Sequence, residues 1–236
     1  IELLEKIGID NLIIHPFDEK FAELNAEAFV STILVDHLRV QKIIIGYDHR
    51  FGKNRTANID DLINFGSQYG FEAEQISAQE IDEISISSTK IRTALEEGDI
   101  QLANEYLGYS YFLSGTVVKG KQLGRTIGFP TANISLEEDY KLVPQNGVYV
   151  VQAEIDSKSI YGMMNIGFNP TVQGKQKTIE VHLFDFDTDI YNRKIQVAIL
   201  QRIRSEKKFE SIELLTKQLE EDRNFSRNYL QNLENK

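Results

Sequence analysis

The chain lacks cysteine and tryptophan, has only four prolines, and contains no long apolar run. The absence of cysteine excludes disulfides, thiolate metal ligands and a cysteine nucleophile. It also fits a reducing compartment, so we expect a cytoplasmic protein. No stretch approaches the roughly 20 apolar residues that span a bilayer. We therefore expect a soluble protein that does not engage a membrane.

Positive charge is also scarce, since 26 Lys and Arg face 36 Asp and Glu, for a net charge of -10. Such a surface would repel a phosphate backbone, so we expect no nucleic-acid partner. A local basic pocket for a small anion is still compatible with this charge. With 236 residues and 41% hydrophobic content, the chain is long enough for two domains.

The first 108 residues carry the pattern of an α/β domain. Short apolar runs, which predict buried strands, alternate with amphipathic stretches, which predict helices. The predicted strands cover residues 12–14, 42–45 and 71–76, and the predicted helices cover residues 25–39, 60–69 and 88–98. Strands and helices in alternation favour a parallel sheet.

The pattern changes after Gly108. Short segments of alternating polarity follow one another, separated by turn signals, which suits a small antiparallel barrel. The predicted strands cover residues 112–118, 147–155, 159–166, 178–184 and 195–202. The C-terminal segment has one apolar stripe and predicts a helix. We therefore expect two domains, residues 1–108 and residues 109–236.

A glycine-rich segment is the strongest functional signal. Residues 115–128 hold four glycines with Lys119, Lys121 and Arg125 between them, and Phe-Pro-Thr-Ala-Asn follows directly. Glycine lets a backbone approach a ligand closely, so the segment is typical of a phosphate-binding loop. It matches neither the Walker loop nor the dinucleotide-binding fingerprint. Spacing alone leaves a run of β-turns between strands about equally open.

The residues after this loop favour a nucleotide site. In an extended backbone, Thr131 and Asn133 point to one face. Their side-chain oxygens suit a hard cation such as Mg²⁺. Pro130 fixes the backbone just before them. The sequence therefore indicates a magnesium and phosphate site at this point.

A second candidate lies in the predicted strand at residues 178–184. Alternation places Glu180 and His182 on one face, and Ile179 and Val181 on the other. A carboxylate flanked by apolar residues can act as a general base toward a hydroxyl group. The alternative is a solvated strand face, with His182 in a structural role. The residues by themselves favour that alternative.

Two weaker candidates lie in the first domain. Ser88 is predicted to cap a helix whose free first-turn N–H groups would attract an anion, and Lys90 and Arg92 add positive charge close by. Ordinary helix starts carry the same pattern, so this signal is not specific. Asp48 follows a strand between two glycines, at the sheet edge where α/β proteins bind ligands.

These segments together resemble the bacterial bifunctional riboflavin kinase/FMN adenylyltransferase family, also called FAD synthetase, over nearly the whole chain. Residues 120–133, which end in Gly-Phe-Pro-Thr-Ala-Asn, match the signature of the kinase half. Further matches follow in the expected order at residues 165–171, 180–184 and 203–209. Residues 86–92 match the adenylyltransferase half.

The resemblance implies a fold and an activity. The fold would be a partial Rossmann-like nucleotidyltransferase domain, of the α/β class, followed by an all-β domain. The all-β domain would be a small antiparallel Greek-key barrel with a C-terminal helix. The reaction would be phosphorylation of riboflavin by ATP to give FMN, with adenylylation of FMN to FAD assigned to the complete protein. Mg²⁺ would be the cofactor, and the oligomeric state is left open.

The resemblance also implies roles for particular residues. Glu180 would be the base that activates the ribityl 5′-hydroxyl of riboflavin, while Thr131 and Asn133 would hold Mg²⁺ and the ATP phosphates. The other nucleotide-binding residues of the kinase half would be Gly120, Lys121, Gly124, Arg125 and Gly128. Those of the adenylyltransferase half would be Asp48, Ser88, Thr89 and Arg92. The flavin would be bordered by Phe129, Arg204 and Phe209.

The chain departs from the family pattern at its beginning. The adenylyltransferase half normally opens with a Gly-x-Phe-Asp-x-x-His-x-Gly-His segment that binds the triphosphate. None of the four histidines here has that spacing, and the first residue is Ile1 rather than methionine. We therefore expect upstream sequence to be missing and FAD formation to be impaired.

The alternative function is a flavin- or nucleotide-binding regulatory module without catalysis. The same glycine-rich segment could hold a ligand without turning it over. The joint presence of Glu180, Thr131 and Asn133 argues against this alternative, because a protein that only binds needs no base.

Overall fold

The computed structural model describes residues 1–77, 80–81, 84–120, 122–138, 140–156, 158–171 and 174–235. These residues form two compact units, Ile1–Glu80 and Ile81–Lys236. The predicted domain division after residue 108 stays a prediction, because these units are defined by contacts between residues and not by function.

The first unit is an α/β fold that contains a parallel strand pair. Strand β1 (Lys42–Gly46) runs parallel to β2 (Glu72–Ile76), so that Lys42 lies opposite Glu72. The helices are α1 (Glu2–Ile7), α2 (Glu19–Ala22), α3 (Ala26–Ala28), a π-helix (Phe29–His37), a 3₁₀ turn (Lys53–Arg55) and α4 (Ile59–Tyr69). The parallel pair and the helix between its strands confirm the α/β prediction.

Local sequence signals explain where α4 begins and ends. The Asn58 side chain accepts a hydrogen bond from the Asp60 N–H at 2.8 Å, and the Asp61 carboxylate accepts one from the Asn58 N–H at 2.9 Å. Gly70 ends the helix in the left-handed conformation at φ 81°, which glycine adopts without strain. The core of this unit consists of Val30, Leu62 and Phe71.

The predicted strand at residues 12–14 is wrong. Within the described part of the chain this segment pairs with no other strand, and Ile13 and Ile14 are 62% and 69% exposed. A strand needs a neighbouring backbone for its N–H and C=O groups, which an apolar run alone does not supply. The helix predicted at residues 25–39 forms from Ala26 to His37, largely as a π-helix.

Two helices precede the barrel of the second unit. The elements in this region are β3 (Glu80–Ile81), β4 (Ile84–Ser85), α5 (Ser88–Glu97) and α6 (Ile100–Leu107). Gly98 and Gly108 end the two helices in the left-handed conformation, at φ 78° and 73°. Helix α6 is fixed to the barrel by Asn104, whose Nδ2 donates to the Ile199 carbonyl oxygen at 2.9 Å.

The second unit is built on a closed antiparallel barrel. Its strands are β5 (Phe112–Val118), β6 (Ala132–Leu136), β7 (Gly147–Ile155), β8 (Lys158–Thr171), β9 (Gly174–Leu183) and β10 (Lys194–Ser205). They close in the order β10-β5-β6-β9-β8-β7. Strands β7, β8 and β9 are successive neighbours and β10 returns beside β7, which is the Greek-key arrangement. The predicted barrel is therefore confirmed.

The barrel wall has an apolar layer on each face. The side chains of Ile179, Val181 and Leu183 belong to the inner layer and are at most 6% exposed. Helix α8 (Ile212–Glu234) covers part of the outer face. The outer layer comprises Phe129, Val150, Met163, Phe184, Leu200 and Leu230. His182, which alternates with the inner residues, is only 9% exposed, so the interpretation of this face as solvated is wrong.

Candidate active site

Glu180 lies at the centre of a polar row that crosses three strands. In the barrel register, Glu180 of β9 stands opposite Asn133 of β6 on one side and Asn165 of β8 on the other. Residues directly opposite each other in antiparallel strands project to the same face. Glu180 and Asn165 line a cavity of ≈ 250 Å³, the helix-side cavity, which Leu215 and Leu219 of α8 also line.

Thr131 connects the helix-side cavity to a second cavity. Its Oγ1 donates a hydrogen bond to Glu180 Oε2 at 3.3 Å. Thr131 also lines a cavity of ≈ 480 Å³, the loop-side cavity, which includes the segment between β9 and β10. Among the residues that the structure describes, only Thr131 lines both cavities. The two predicted residues, Thr131 and Glu180, therefore meet at the wall between two ligand-sized spaces.

The loop-side cavity combines charged, hydroxyl and aromatic groups. Arg125, which the sequence predicted to bind nucleotide, lies on its wall. The residues that sequence reasoning missed here are Asp187, Thr188, Asp189 and Tyr191. The signal available for them was their position directly after the predicted base-bearing strand, in an Asp-Phe-Asp-Thr-Asp turn.

Two glycines of the glycine-rich segment lie where a side chain would meet other atoms. A Cβ on Gly120 would lie 2.2 Å from Asn133 Nδ2, and a Cβ on Gly124 would lie 2.1 Å from the Phe129 carbonyl oxygen. At Gly124 a side chain would force the backbone to shift, whereas at Gly120 it would first have to displace the side-chain amide of Asn133. The missing side chains thus allow the segment to pack against Asn133 and the residues before Thr131.

The rest of the segment is less constrained by packing. Gly128 has φ 81° with open space around its Cα, so its glycine serves backbone conformation. Arg125 lies in the short helix α7 (Leu123–Thr126). Lys121 lies outside the described residues, and its predicted role stays a prediction.

His182 positions the backbone that leads to Thr131. Its Nδ1 lies 2.8 Å from the Pro130 carbonyl oxygen, which can only accept, so the ring donates there. The ring centroid lies 5.2 Å from that of Phe129. Burial lowers the pKa of His182, although the hydrogen bond to Pro130 opposes this shift. A buried, neutral imidazole bound to a carbonyl group suits the structural role that the sequence allowed for it.

Arg204 lies on the wall of the helix-side cavity and is held by a residue that sequence reasoning missed. Its Nε and Nη2 donate to the Asp222 carboxylate at 2.9 and 2.7 Å. Gln218 Nε2 also donates to Asp222, at 3.2 Å. Asp222 is 1% exposed. The only signal for it in the sequence was the four-residue spacing of Gln218, Asp222 and Ser226 on one face of α8.

The two predicted flavin-binding aromatic residues also line the helix-side cavity. Phe129 is 2% exposed, and the Arg223 guanidinium lies 5.3 Å from its ring centroid. Phe209 lies 5.7 Å from the guanidinium of Arg204 and 5.7 Å from Lys207 Nζ. The cavity therefore offers an apolar interior with cations at its rim.

The residues predicted for the adenylyltransferase half lie in two places. Asp48 is exposed after β1, in the first unit. Ser88, Thr89 and Arg92 are exposed on the first turns of α5, in the second unit. The predicted cap is wrong by one residue: Ser87 caps α5, and its hydroxyl accepts a hydrogen bond from the Lys90 N–H at 3.3 Å. Ser88 is the first helical residue, because only Ser87 has the extended backbone of a cap.

The donor set around Thr131 fits a small hard cation. Thr131 Oγ1 and the Asn133 amide oxygen are neutral oxygen ligands, and Glu180 is 3.3 Å from Thr131. Within the described ranges, no cluster of three or more His, Cys, Asp or Glu residues could form a metal cage. Mg²⁺ is usually bound by one or two protein groups together with water and phosphate oxygens, so this sparse set is compatible with it.

No helix in the described part of the chain has the length and the apolar character needed to cross a membrane.

Two family models match the chain. One is described as riboflavin kinase and covers residues 107–230, and the other is described as FAD synthetase and covers residues 1–90.

Individual relatives match over nearly the whole chain. A bifunctional riboflavin kinase/FMN adenylyltransferase of Haemophilus influenzae is 42% identical over 223 residues, which cover 94% of this chain and 72% of the relative. The Bacillus subtilis protein of the same name is 40% identical and covers 99% of this chain, while 74% of its own length is matched. A crystal structure described as a macrolide-efflux protein of Streptococcus pneumoniae has a TM-score of 0.88 at 36% identity, covering 96% and 73% of the two chains.

Proposed function

The chain belongs to the family of bifunctional riboflavin kinase/FMN adenylyltransferases, and we propose that its barrel transfers a phosphoryl group from ATP to riboflavin around Glu180. It is an enzyme of FAD biosynthesis, with riboflavin kinase and FMN adenylyltransferase as its two activities. The single observation that carries the proposed site is the Thr131–Glu180 contact at the wall between two cavities.

Glu180 is proposed as the general base. Transfer to a primary alcohol requires that the hydroxyl proton leave as the oxygen attacks phosphorus. A carboxylate on the wall of the helix-side cavity can take that proton from a hydroxyl group held there. The hydrogen bond from Thr131 fixes one carboxylate oxygen, which leaves the other available for the substrate.

Riboflavin is proposed to occupy the helix-side cavity. Its isoalloxazine ring is planar and largely apolar, and the cavity offers Phe129, Phe209, Ile127 and Leu219. Arg204, oriented by Asp222, would face the polar edge of that ring. In this orientation the ribityl chain reaches Glu180 and Asn165.

ATP is proposed to occupy the loop-side cavity. Thr131 and Asn133 would hold Mg²⁺, which supplies charge neutralisation for the triphosphate when it is bound. Arg125 and the glycine-rich segment would surround the phosphates, because backbone N–H groups free of side chains can approach phosphate oxygens. The terminal phosphate would then lie at Thr131, next to the hydroxyl that Glu180 deprotonates.

The remaining assignments are also proposals. Ser88, Thr89 and Arg92 would contact the ATP phosphates in the adenylyltransferase reaction, because the exposed first turn of α5 suits an anion. Asp48, in the first unit, remains a separate proposal as a nucleotide-binding residue. The net charge of -10 supports small-molecule substrates rather than nucleic acid. A cytoplasmic location is proposed because ATP is the substrate of both reactions.

The test of the kinase site is the Glu180→Gln variant, with the same substitution at the exposed Glu154 of β7 as the matched control. We expect FMN formation to fall by about 10² or more, since general-base catalysis contributes about 10² to 10⁴ in rate. Chromatography of flavins after incubation with Mg²⁺-ATP and riboflavin measures the rate, and quenching of flavin fluorescence measures binding. Normal turnover by Glu180→Gln would remove Glu180 from the mechanism.

The same assay separates the enzyme from the alternative, a binding module without catalysis. The parent chain should form FMN with a 1:1 release of ADP. Flavin binding without any FMN would instead support the regulatory module.

A further inference from the structure

The loop between β9 and β10 is fixed to the strand from which the glycine-rich segment departs. The Val117 N–H donates to the Arg193 carbonyl oxygen at 2.9 Å, and the Asn192 N–H donates to the Val117 carbonyl oxygen at 2.8 Å. Tyr191 lies directly before these two contacts. Its N–H donates to Asp189 Oδ1 at 2.9 Å, which orients the backbone that presents the phenol.

The Tyr191 phenol contacts the glycine-rich segment at two points. Gln122 Nε2 donates a hydrogen bond to the Tyr191 hydroxyl at 3.4 Å. Lys119 Nζ lies 6.0 Å from the ring centroid, at the distance where a cation is attracted by an aromatic face. These two residues flank Gly120, which packs on Asn133. The phenol therefore contacts the segment on both sides of Gly120, the residue that packs on the proposed metal ligand Asn133.

Gln122 is held in an unfavourable backbone conformation at this contact. Its φ is 58°, in the left-handed region that a residue with a Cβ rarely adopts. Such a conformation persists when surrounding contacts fix it. The described contact of the Gln122 side chain is with Tyr191, on the wall of the loop-side cavity.

We propose that Tyr191 is a positioning residue that holds the glycine-rich segment closed against the loop-side cavity before ATP arrives. The proposal rests on the proposed placement of ATP in that cavity. A segment that is already closed loses less conformational freedom when the nucleotide binds. Tyr191 would thus lower the KM for ATP without contacting riboflavin, which occupies the other cavity.

The test compares Tyr191→Phe, Tyr191→Ala and Gln122→Met. Loss of the hydroxyl in Tyr191→Phe should raise the KM for ATP by about two- to tenfold, the contribution of one hydrogen bond. Tyr191→Ala also loses the ring under Lys119 and should raise it further. The kcat should stay unchanged, and the KM for riboflavin should rise less than the KM for ATP; a small rise is expected because Leu123, Gly124 and Ile127 of the segment line the helix-side cavity. Tyr140→Phe, at an 83% exposed tyrosine, is the matched control.

A double-mutant cycle tests the contact itself. If the hydroxyl acts through Gln122, then Tyr191→Phe and Gln122→Met together should raise the KM for ATP no more than either change alone. Full additivity, an unchanged KM for ATP, or an equal rise in both KM values would overturn the proposal. Melting temperatures of the variants show whether a change in KM comes from general unfolding. General unfolding would not raise the KM for one substrate selectively.

Failure of the positioning role and failure of the kinase assignment give different results. If Glu180→Gln abolishes FMN formation while the Tyr191 variants keep the parent KM for ATP, the kinase stands and the positioning role falls. If the parent chain forms no FMN, calorimetric titration with Mg²⁺ and a non-hydrolysable ATP analogue provides the readout. Weaker analogue binding by Tyr191→Ala then supports the role of Tyr191, and equal binding overturns it.

Discussion

Replacing Asp222 by asparagine should destabilise the barrel unit by about 3 kcal/mol, because it leaves the Arg204 guanidinium without its counter-charge. The asparagine side chain has nearly the same shape and keeps one acceptor oxygen for Gln218, but its amide nitrogen is a donor and cannot accept from Arg204. Three donor contacts from Arg204 converge on this carboxylate, at 2.7 to 3.1 Å.

The magnitude follows from the burial of the two partners. Breaking a buried ion pair costs about 3–5 kcal/mol, most of it from the charge left behind. Asp222 is 1% exposed, whereas Arg204 is 20% exposed. Water can reach the guanidinium that remains in Asp222→Asn, so we expect the lower end of the range. Arg204→Met leaves the more deeply buried carboxylate unpaired and should cost more.

Scanning calorimetry provides the assay. Added riboflavin should raise the melting temperature of the barrel unit, because a ligand stabilises the unit that binds it. The unfolding transition that shifts upward with riboflavin is therefore assigned to the barrel unit. A loss of about 3 kcal/mol corresponds to a fall of about 6–12 °C for a unit of this size. Asp185→Asn, in the exposed pair with Arg227, is the control and should change little. Equal shifts for the Asp222 and Asp185 variants would refute the reasoning.

Two further predictions concern the backbone around Thr131. The lowered pKa of His182 means that protonation favours the unfolded chain. Stability from His182 is therefore complete above about pH 6.5 and is lost as the pH falls through the lower folded pKa. His182→Asn, which can still donate to Pro130, should reduce the pH dependence of the melting temperature between pH 7.5 and 5. The same dependence in the variant as in the parent chain would contradict this. Gly124→Ala should reduce the kinase rate, because it places a Cβ 2.1 Å from the Phe129 carbonyl oxygen, whereas Gly46→Ala, whose Cβ would meet no atom closer than 4.0 Å, is the control and should change little; an unchanged rate in Gly124→Ala would show that close packing of the segment is unimportant.

The barrel was the part of the fold that sequence patterns predicted best. Strands β5 and β7 have the predicted bounds of 112–118 and 147–155, because period-two alternation and turn residues are both local signals. The strand predicted at residues 12–14 failed because strand formation depends on a partner that an apolar run does not specify. The cap of α5 was misplaced because Ser87 and Ser88 have equal capping tendency, and only backbone conformation separates them.

The candidate site was predictable where residues follow one another and not where the fold brings them together. Thr131 and Asn133 share a short extended segment, and alternation placed Glu180 and His182 on one face. Nothing local indicated that α8 would cover that face and make it a cavity. Asp222 was missed for the same reason, since its burial depends on Arg204, which lies on a different element.

The alternation of β9 divides the two proposed ligand cavities between the faces of one strand. Glu180 and His182 project into the space beneath α8, while Val181 and Leu183 pack in the barrel interior and also line the loop-side cavity. Evolution can therefore alter the residues that face the acceptor without changing those of β9 that line the proposed ATP cavity. A designer seeking a different acceptor alcohol should work on the outward positions and on the covering helix, and leave the inward ones alone.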